Sequence, residues 1–188
     1  MNRREALSSV AILLGGTLIG AEAFLSGCKN TASNVVAFTP DDIAFLNEVA
    51  ETILPATSTP GAKEAKVGEF MTVIVRDCYK PTEQTVFIEG MKALQFKDAK
   101  AKISKSFMEA TPKERHELLV ALDVDQKAFQ AKKKPEDPPH YFRMMKELTL
   151  WGFFTSEVGA TKALRYVAVP GKYEGCIDYK KGDKAWAT

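Results

Sequence analysis

Histidine and cysteine are nearly missing from this chain: two histidines and three cysteines occur in 188 residues. That scarcity excludes most of the chemistry a small protein can carry alone. Covalent haem attachment needs Cys-x-x-Cys-His, whereas Cys28, Cys78 and Cys176 each stand apart. Iron–sulfur and zinc centres need clusters of cysteine or histidine. His116 and His140 are far apart in sequence, so two histidines completed by carboxylates are the one metal site left to consider. No Gly-x-Ser-x-Gly elbow offers a serine nucleophile. An excess of one charge is missing too. The 26 lysines and arginines face 24 acids, and such a balance leaves no basic footprint for nucleic acid. Lys132-Lys133-Lys134 runs straight into Pro135, Glu136 and Asp137, which suits a solvated loop. Alternating apolar and polar residues of useful length are absent, which argues against a β-rich fold.

What is present begins with an address. Met1 to Cys28 has a charged start, an apolar run over Val10–Leu25 and a small-residue exit at Leu25-Ser26-Gly27-Cys28. That order is an export signal. The adjacent Arg3 and Arg4 point to the twin-arginine route, which carries cargo already folded. Cys28 after Leu-Ser-Gly fits a lipoprotein box, in which the thiol takes lipid and the chain is cut before it. The competing reading of Val10–Leu25 is a membrane span. A span needs about 20 apolar residues, and this run is shorter and interrupted by Thr17 and Glu22. Cleavage leaves residues 28–188, one domain by length.

The expected organisation is a signal over residues 1–27, a polar tether over 28–38, a helical domain over 39–169 and an arm over 170–188. Thr39 and Thr111 are each followed by proline, with an acid at the third helical position, which predicts capped helix starts at both places. Ile43, Leu46, Val49, Ala50 and Ile53 give the first helix its apolar stripe, and Pro55 stops it. Further helices are expected over Val67–Tyr79 (Phe70, Val73, Ile74 and Cys78 inward) and about Glu83–Lys102 (Phe87, Met91, Leu94 and Ala101 inward). A fourth runs from Thr111 to about Gln130 (Leu118, Leu119, Leu122 and Phe129 inward) and a fifth over His140–Glu157, with Gly159 as its stop. A short one over Thr161–Tyr166 follows. The fold class is mostly α: a single small domain of about five to six helices with an irregular C-terminal arm.

Two groups invite a functional role. The helix over His140–Glu157 is apolar nearly all round, which marks a buried or docked helix. Trp151, Phe153 and Phe154 are therefore either core or partner anchors. The glycine-spaced aromatics of the arm, including Tyr173 and Trp186, lie either across the protein's own surface or on another subunit. Cys78 and Cys176 form an even pair once Cys28 is lipidated, and stand either as a disulfide or as two thiols. His116, among charged residues, reads as solvent-facing, and His140 as a helix-start residue.

Several stretches bear a resemblance. They are Arg3-Arg4; Glu51-Thr52-Ile53-Leu54-Pro55-Ala56-Thr57-x-Thr59-Pro60-Gly61-Ala62; Leu148-Thr149-Leu150-Trp151-Gly152-Phe153-Phe154-Thr155-Ser156-Glu157; Leu164-Arg165-Tyr166; and Pro170-Gly171-x-Tyr173. With them the chain resembles the gluconate 2-dehydrogenase subunit 3 family, the small subunits of membrane-bound sugar dehydrogenases. None of these blocks is a catalytic motif. The resemblance implies a non-catalytic partner, binding no cofactor itself, of a large FAD-dependent oxidoreductase of the glucose–methanol–choline type. Such complexes oxidise sugars, sugar acids or glycosides, and a cytochrome c subunit often takes the electrons. The small subunit supplies the export signal that the large one lacks. The lipoprotein box at Cys28 departs from the family pattern, and leaves anchoring either to this chain or to a cytochrome. The alternative is a stand-alone exported lipoprotein that binds a ligand or another partner.

Overall fold

The computed structural model describes residues 36–187, apart from Pro170, Tyr173 and the side chains of Lys97 and Lys102. The export signal with Arg3 and Arg4, and the lipid site at Cys28, lie outside the described residues. Six α-helices and two π-helical segments follow one another, and no strand occurs among the described residues.

Helix α1 (Pro40–Ile53) starts at a two-way cap. The Asp42 amide donates to Thr39 Oγ1 at 3.2 Å and the Thr39 amide to Asp42 Oδ2 at 2.9 Å. Its buried face is Phe45, Leu46, Val49 and Ala50. The loop after it is held by one carboxylate: Glu51 accepts from the amides of Ala56 and Lys63, both at 2.9 Å. Helix α2 (Val67–Cys78) has no cap of its own, because Lys66 stands in the left-handed region at φ 53°. Asn47 of α1 supplies one, with Oδ1 accepting from the Gly68 amide at 2.9 Å.

Val67, Met71 and Val75 make the inward stripe of α2. Val73 and Cys78 were expected there and are exposed instead. The β-branched run Val73-Ile74-Val75 hid the phase: residues four apart share a face, and only Val75 is in step with Val67 and Met71.

Helix α3 (Pro81–Lys92) continues through a π segment (Ala93–Asp98) into the short α4 (Ala99–Ile103). Phe87, Met91 and Leu94 are buried as expected, but Ala99 replaces Ala101 as the next core residue. A π turn holds more residues per turn than an α turn, so the inward face reappears at a different position in the sequence.

Helix α5 (Pro112–Lys132) opens on the same kind of cap as α1, with the Thr111 amide donating to Glu114 Oε2 at 2.8 Å. It buries Leu118, Leu119, Leu122 and Gln126, whereas Phe129 stays partly exposed against His140. Helix α6 (Tyr141–Phe154) packs on α1, α2, α3 and α5. This explains why it is apolar on several faces: it is the centre of the bundle. Gly159 does not stop it. A π segment (Gly159–Ala163) lies tight against the end of α6, where a Cβ on Gly159 would come within 1.9 Å of the Phe153 carbonyl oxygen. The expected helix over Thr161–Tyr166 ends at Ala163, and Arg165 instead pairs with Trp186.

Candidate partner-docking face

Charge and hydrogen bonding settle most of the polar side chains into structural roles. Arg115 donates to the carbonyls of Phe107 (3.0 Å) and Met108 (2.7 Å) and to Glu48 Oε2 (2.8 Å). Its guanidinium also lies 5.4 Å from the centre of the Phe107 ring. Glu48 is held below its usual range by a hydrogen bond from Lys63, with Arg115 adding to the effect against the cost of burial. Asp123 accepts from Lys127 on its own helix (2.8 Å) and joins α5 to α6 by accepting from Lys146 (2.6 Å). Those bonds, Lys127 first, pull its carboxyl down to about 2.

His140 caps α6: its Nδ1 accepts from the Phe142 amide at 3.2 Å, and its ring stacks on Tyr141. Burial holds it below its ordinary value, against the pull of Asp125 and Asp98. Tyr141 donates to Asp98 at 2.7 Å, and its hydroxyl is pushed up, by burial first and by Asp98 second. His116 is exposed. No group of three or more histidine, cysteine or acidic side chains that could hold a metal ion occurs among the described residues. A shallow cavity of about 260 Å³ opens between the first π segment and the stretch before α5. Its walls are Phe96, Lys100, Ser104, Lys105, Ser106 and Glu109. Cavities that bind small molecules run to roughly 300–1,000 Å³ and are mostly enclosed.

The surface left unexplained is apolar. Along the outward side of α6, Arg143 pairs with Glu147 at 2.7 Å, and one turn later the side chains become Leu150, Trp151 and Phe154. These three are 39%, 51% and 40% exposed. Spacings of three and four residues put them on one stripe. Phe70 of α2 meets Trp151 edge-on at 5.3 Å between ring centres. It can do so because position 152 is glycine; a Cβ there would stand 2.6 Å from Phe70 Cδ1. Val73, one turn further along α2, is exposed as well. The result is a two-helix apolar face with an ion pair at its edge. Aromatic side chains grouped in this way are the typical anchors of protein–protein contacts.

The five residues read from sequence as a partner surface fall in different places. Trp151 and Phe154 share this face. Phe153 does not: it is 4% exposed and belongs to the core, because its neighbours on the stripe of Met145 and Leu148 point inward. Trp186 lies against Arg165 at the root of the arm. Tyr173 is outside the described residues. Val73 was missed as a surface residue, whereas Phe70, expected inward, is partly buried against the core and reaches Trp151 from there. Cys78 and Cys176 are free and exposed thiols. No described helix is long and apolar enough to cross a membrane.

A family model described as gluconate 2-dehydrogenase subunit 3 matches residues 40–171. The match opens on the first residue of α1 and ends in the arm, so it takes in every helix described above. No curated protein and no solved structure matches the chain.

Proposed function

Because the chain belongs to the gluconate 2-dehydrogenase subunit 3 family, we propose that it is the non-catalytic small subunit of an FAD-dependent dehydrogenase of the glucose–methanol–choline type, acting on sugars, sugar acids or glycosides. The large subunit docks on the face of Phe70, Leu150, Trp151 and Phe154. Arg3 and Arg4 take the assembled, folded pair out by the twin-arginine route. A lipid on Cys28 then holds the complex on the periplasmic side of the envelope. In this reading FAD belongs to the large subunit and haem c to a cytochrome c subunit.

The observation that carries the reading is the exposed aromatic pair Trp151 and Phe154 on an otherwise well-buried central helix, in a chain whose family is named as a subunit. Aromatic groups that size are costly to leave in water at about 25 cal/mol per Å², and a docked subunit removes that cost. The shallow cavity favours no ligand, so the stand-alone lipoprotein has no observation of its own.

Capture of the tagged full chain from native membranes tests the assignment. The expected result is an FAD-carrying polypeptide in stoichiometric amount. The flavoprotein should also stay in the cytoplasm of cells lacking this chain. Normal export of the flavoprotein in those cells overturns the escort role.

A further inference from the structure

A balanced net charge hides one unbalanced stretch. Residues 92–108 hold five lysines (Lys92, Lys97, Lys100, Lys102 and Lys105) and one acid, Asp98, so this stretch carries +4 in a chain whose total is +2. No arginine occurs in it. The arginines among the described residues lie elsewhere, each engaged with a neighbour: Arg76 with Asp77, Arg115 with Glu48, Arg143 with Glu147 and Arg165 with Trp186.

The fold brings part of this stretch to the surface around one aromatic ring. Lys92 ends α3, Phe96 lies in the first π segment and Lys100 in α4. All three are exposed, Phe96 by 59%. Phe96, Lys100 and Lys105 share the wall of the shallow cavity. That cavity is too small to enclose a ligand; what it offers is a ring with ammonium groups beside it. The acids nearby are held locally. Asp98 accepts from the Tyr141 hydroxyl at 2.7 Å, and Glu109 from the Ser106 amide at 3.1 Å. Glu114 accepts from the Thr111 amide and reaches Lys105 at 3.3 Å. Lys92 and Lys100 have no acid partner among the described residues. Lys97 and Lys102 enter only as sequence charge.

The residue types select what this surface meets. Protein interfaces are depleted in lysine and enriched in arginine, and here every cation is lysine. A lysine ammonium keeps its water and acts as a compact point charge, which suits a diffuse negative surface. Lysines clustered beside an exposed aromatic side chain are the pattern of contact with anionic lipid headgroups. A nucleic acid duplex attracts lysine too, but leaves Phe96 without a base to stack on. At a bilayer the ring enters the boundary between headgroups and acyl chains.

We propose that the surface of Lys92, Phe96, Lys100 and Lys105 seats the helical domain on anionic phospholipid. A lipid on Cys28 limits how far the chain strays from a bilayer, whereas this surface sets which way the domain faces. The proposal does not depend on the flavoprotein assignment.

The test sediments the purified full chain with vesicles of phosphatidylglycerol and phosphatidylcholine in equal parts, and with vesicles of phosphatidylcholine alone, at low and high salt. The apolar run and Arg3-Arg4 are common to every variant, so differences between variants report on the domain. Lys92→Gln with Lys100→Gln should weaken binding to the phosphatidylglycerol vesicles by about tenfold or more, and high salt should shrink that difference. Lys92→Arg with Lys100→Arg keeps the charge and should bind as the wild type does. Melting should be the same in all of them, since these side chains face water. Phe96→Trp should add an emission that moves to shorter wavelength with phosphatidylglycerol vesicles and stays put with phosphatidylcholine ones. Equal binding by the glutamine variant and the wild type overturns the proposal, as does an unmoved emission from Phe96→Trp. If the glutamine variant holds lipid normally but loses the flavoprotein or a DNA duplex, the surface serves that partner and the proposal is wrong.

Discussion

Arg115 shows how much a single side chain carries in this domain. It closes two carbonyls left by the irregular stretch before α5 and bonds Glu48 on α1, a partner distant in sequence. With 15% of its side chain exposed, removing it leaves acceptors short of donors in a poorly solvated place. Arg115→Ala should destabilise the fold by about 2–4 kcal/mol, read as a lowered urea midpoint. Arg115→Lys should recover only part of that, because an ammonium cannot reach all three acceptors in one plane.

His140 supplies the pH dependence. Burial keeps its folded value below the ordinary 6.5, so the unfolded chain binds the proton more readily. Stability is therefore full above about pH 6.5 and falls as pH drops from there towards the depressed folded value. Protonation also turns Nδ1 from acceptor to donor against the Phe142 amide, at the end of the helix where a cation is unwelcome. Melting temperature measured from pH 7.5 to 5 should fall in the wild type and fall less in His140→Asn, which caps without titrating. Equal slopes would remove His140 from the account. The role of His140 at a helix start was legible from Pro138-Pro139 before it. Its edge-on contact with Phe129 of α5 was not, because packing alone brings those two residues together.

At the scale of elements, starts were easier to read than faces. Thr39 and Thr111 cap where their sequence signature places them, since a cap is made by residues three apart and needs no tertiary partner. The start of α2 was located without its cause, because its cap comes from Asn47 on another helix. The π segment after α3 left no signal in the apolar spacing, and that is why Ala99 took the place expected of Ala101. Helix contacts are equally hidden. Gly90 on α3 lies under Tyr141, so close that a Cβ would fall 2.1 Å from Tyr141 Cγ. Gly90→Ala would gain about 1 kcal/mol of helix propensity and lose more, about 1–3 kcal/mol, through displaced packing. A lower thermal midpoint is expected, and a raised one would show that Tyr141 moves aside freely.

For the whole molecule, the decisive fact is that α6 touches four other helices. From sequence, its all-round apolarity left core and partner as rival explanations for Trp151, Phe153 and Phe154. Packing divides them: Phe153 goes to the core, Trp151 and Phe154 to the surface. Trp151→Asp should therefore lower the melting temperature only modestly, by the lost edge contact with Phe70, while reducing co-purification of the flavoprotein. Phe153→Asp should unfold the domain. Both thiols should also react fully with an alkylating reagent in the folded protein without reductant, since Cys78 and Cys176 are free and exposed. A mass unchanged by the reagent until reductant is added would mean that they pair.

The sequence by itself determined the helical class, the caps at Thr39 and Thr111, the stop at Pro55, and the family blocks around Pro60 and Phe153. All of these are written in neighbours along the chain. Tertiary structure alone decided which side of each apolar helix meets water, where a π turn resets the phase, and that Trp186 closes on Arg165. Those outcomes depend on which surfaces other helices have already covered, and one-dimensional spacing does not contain that.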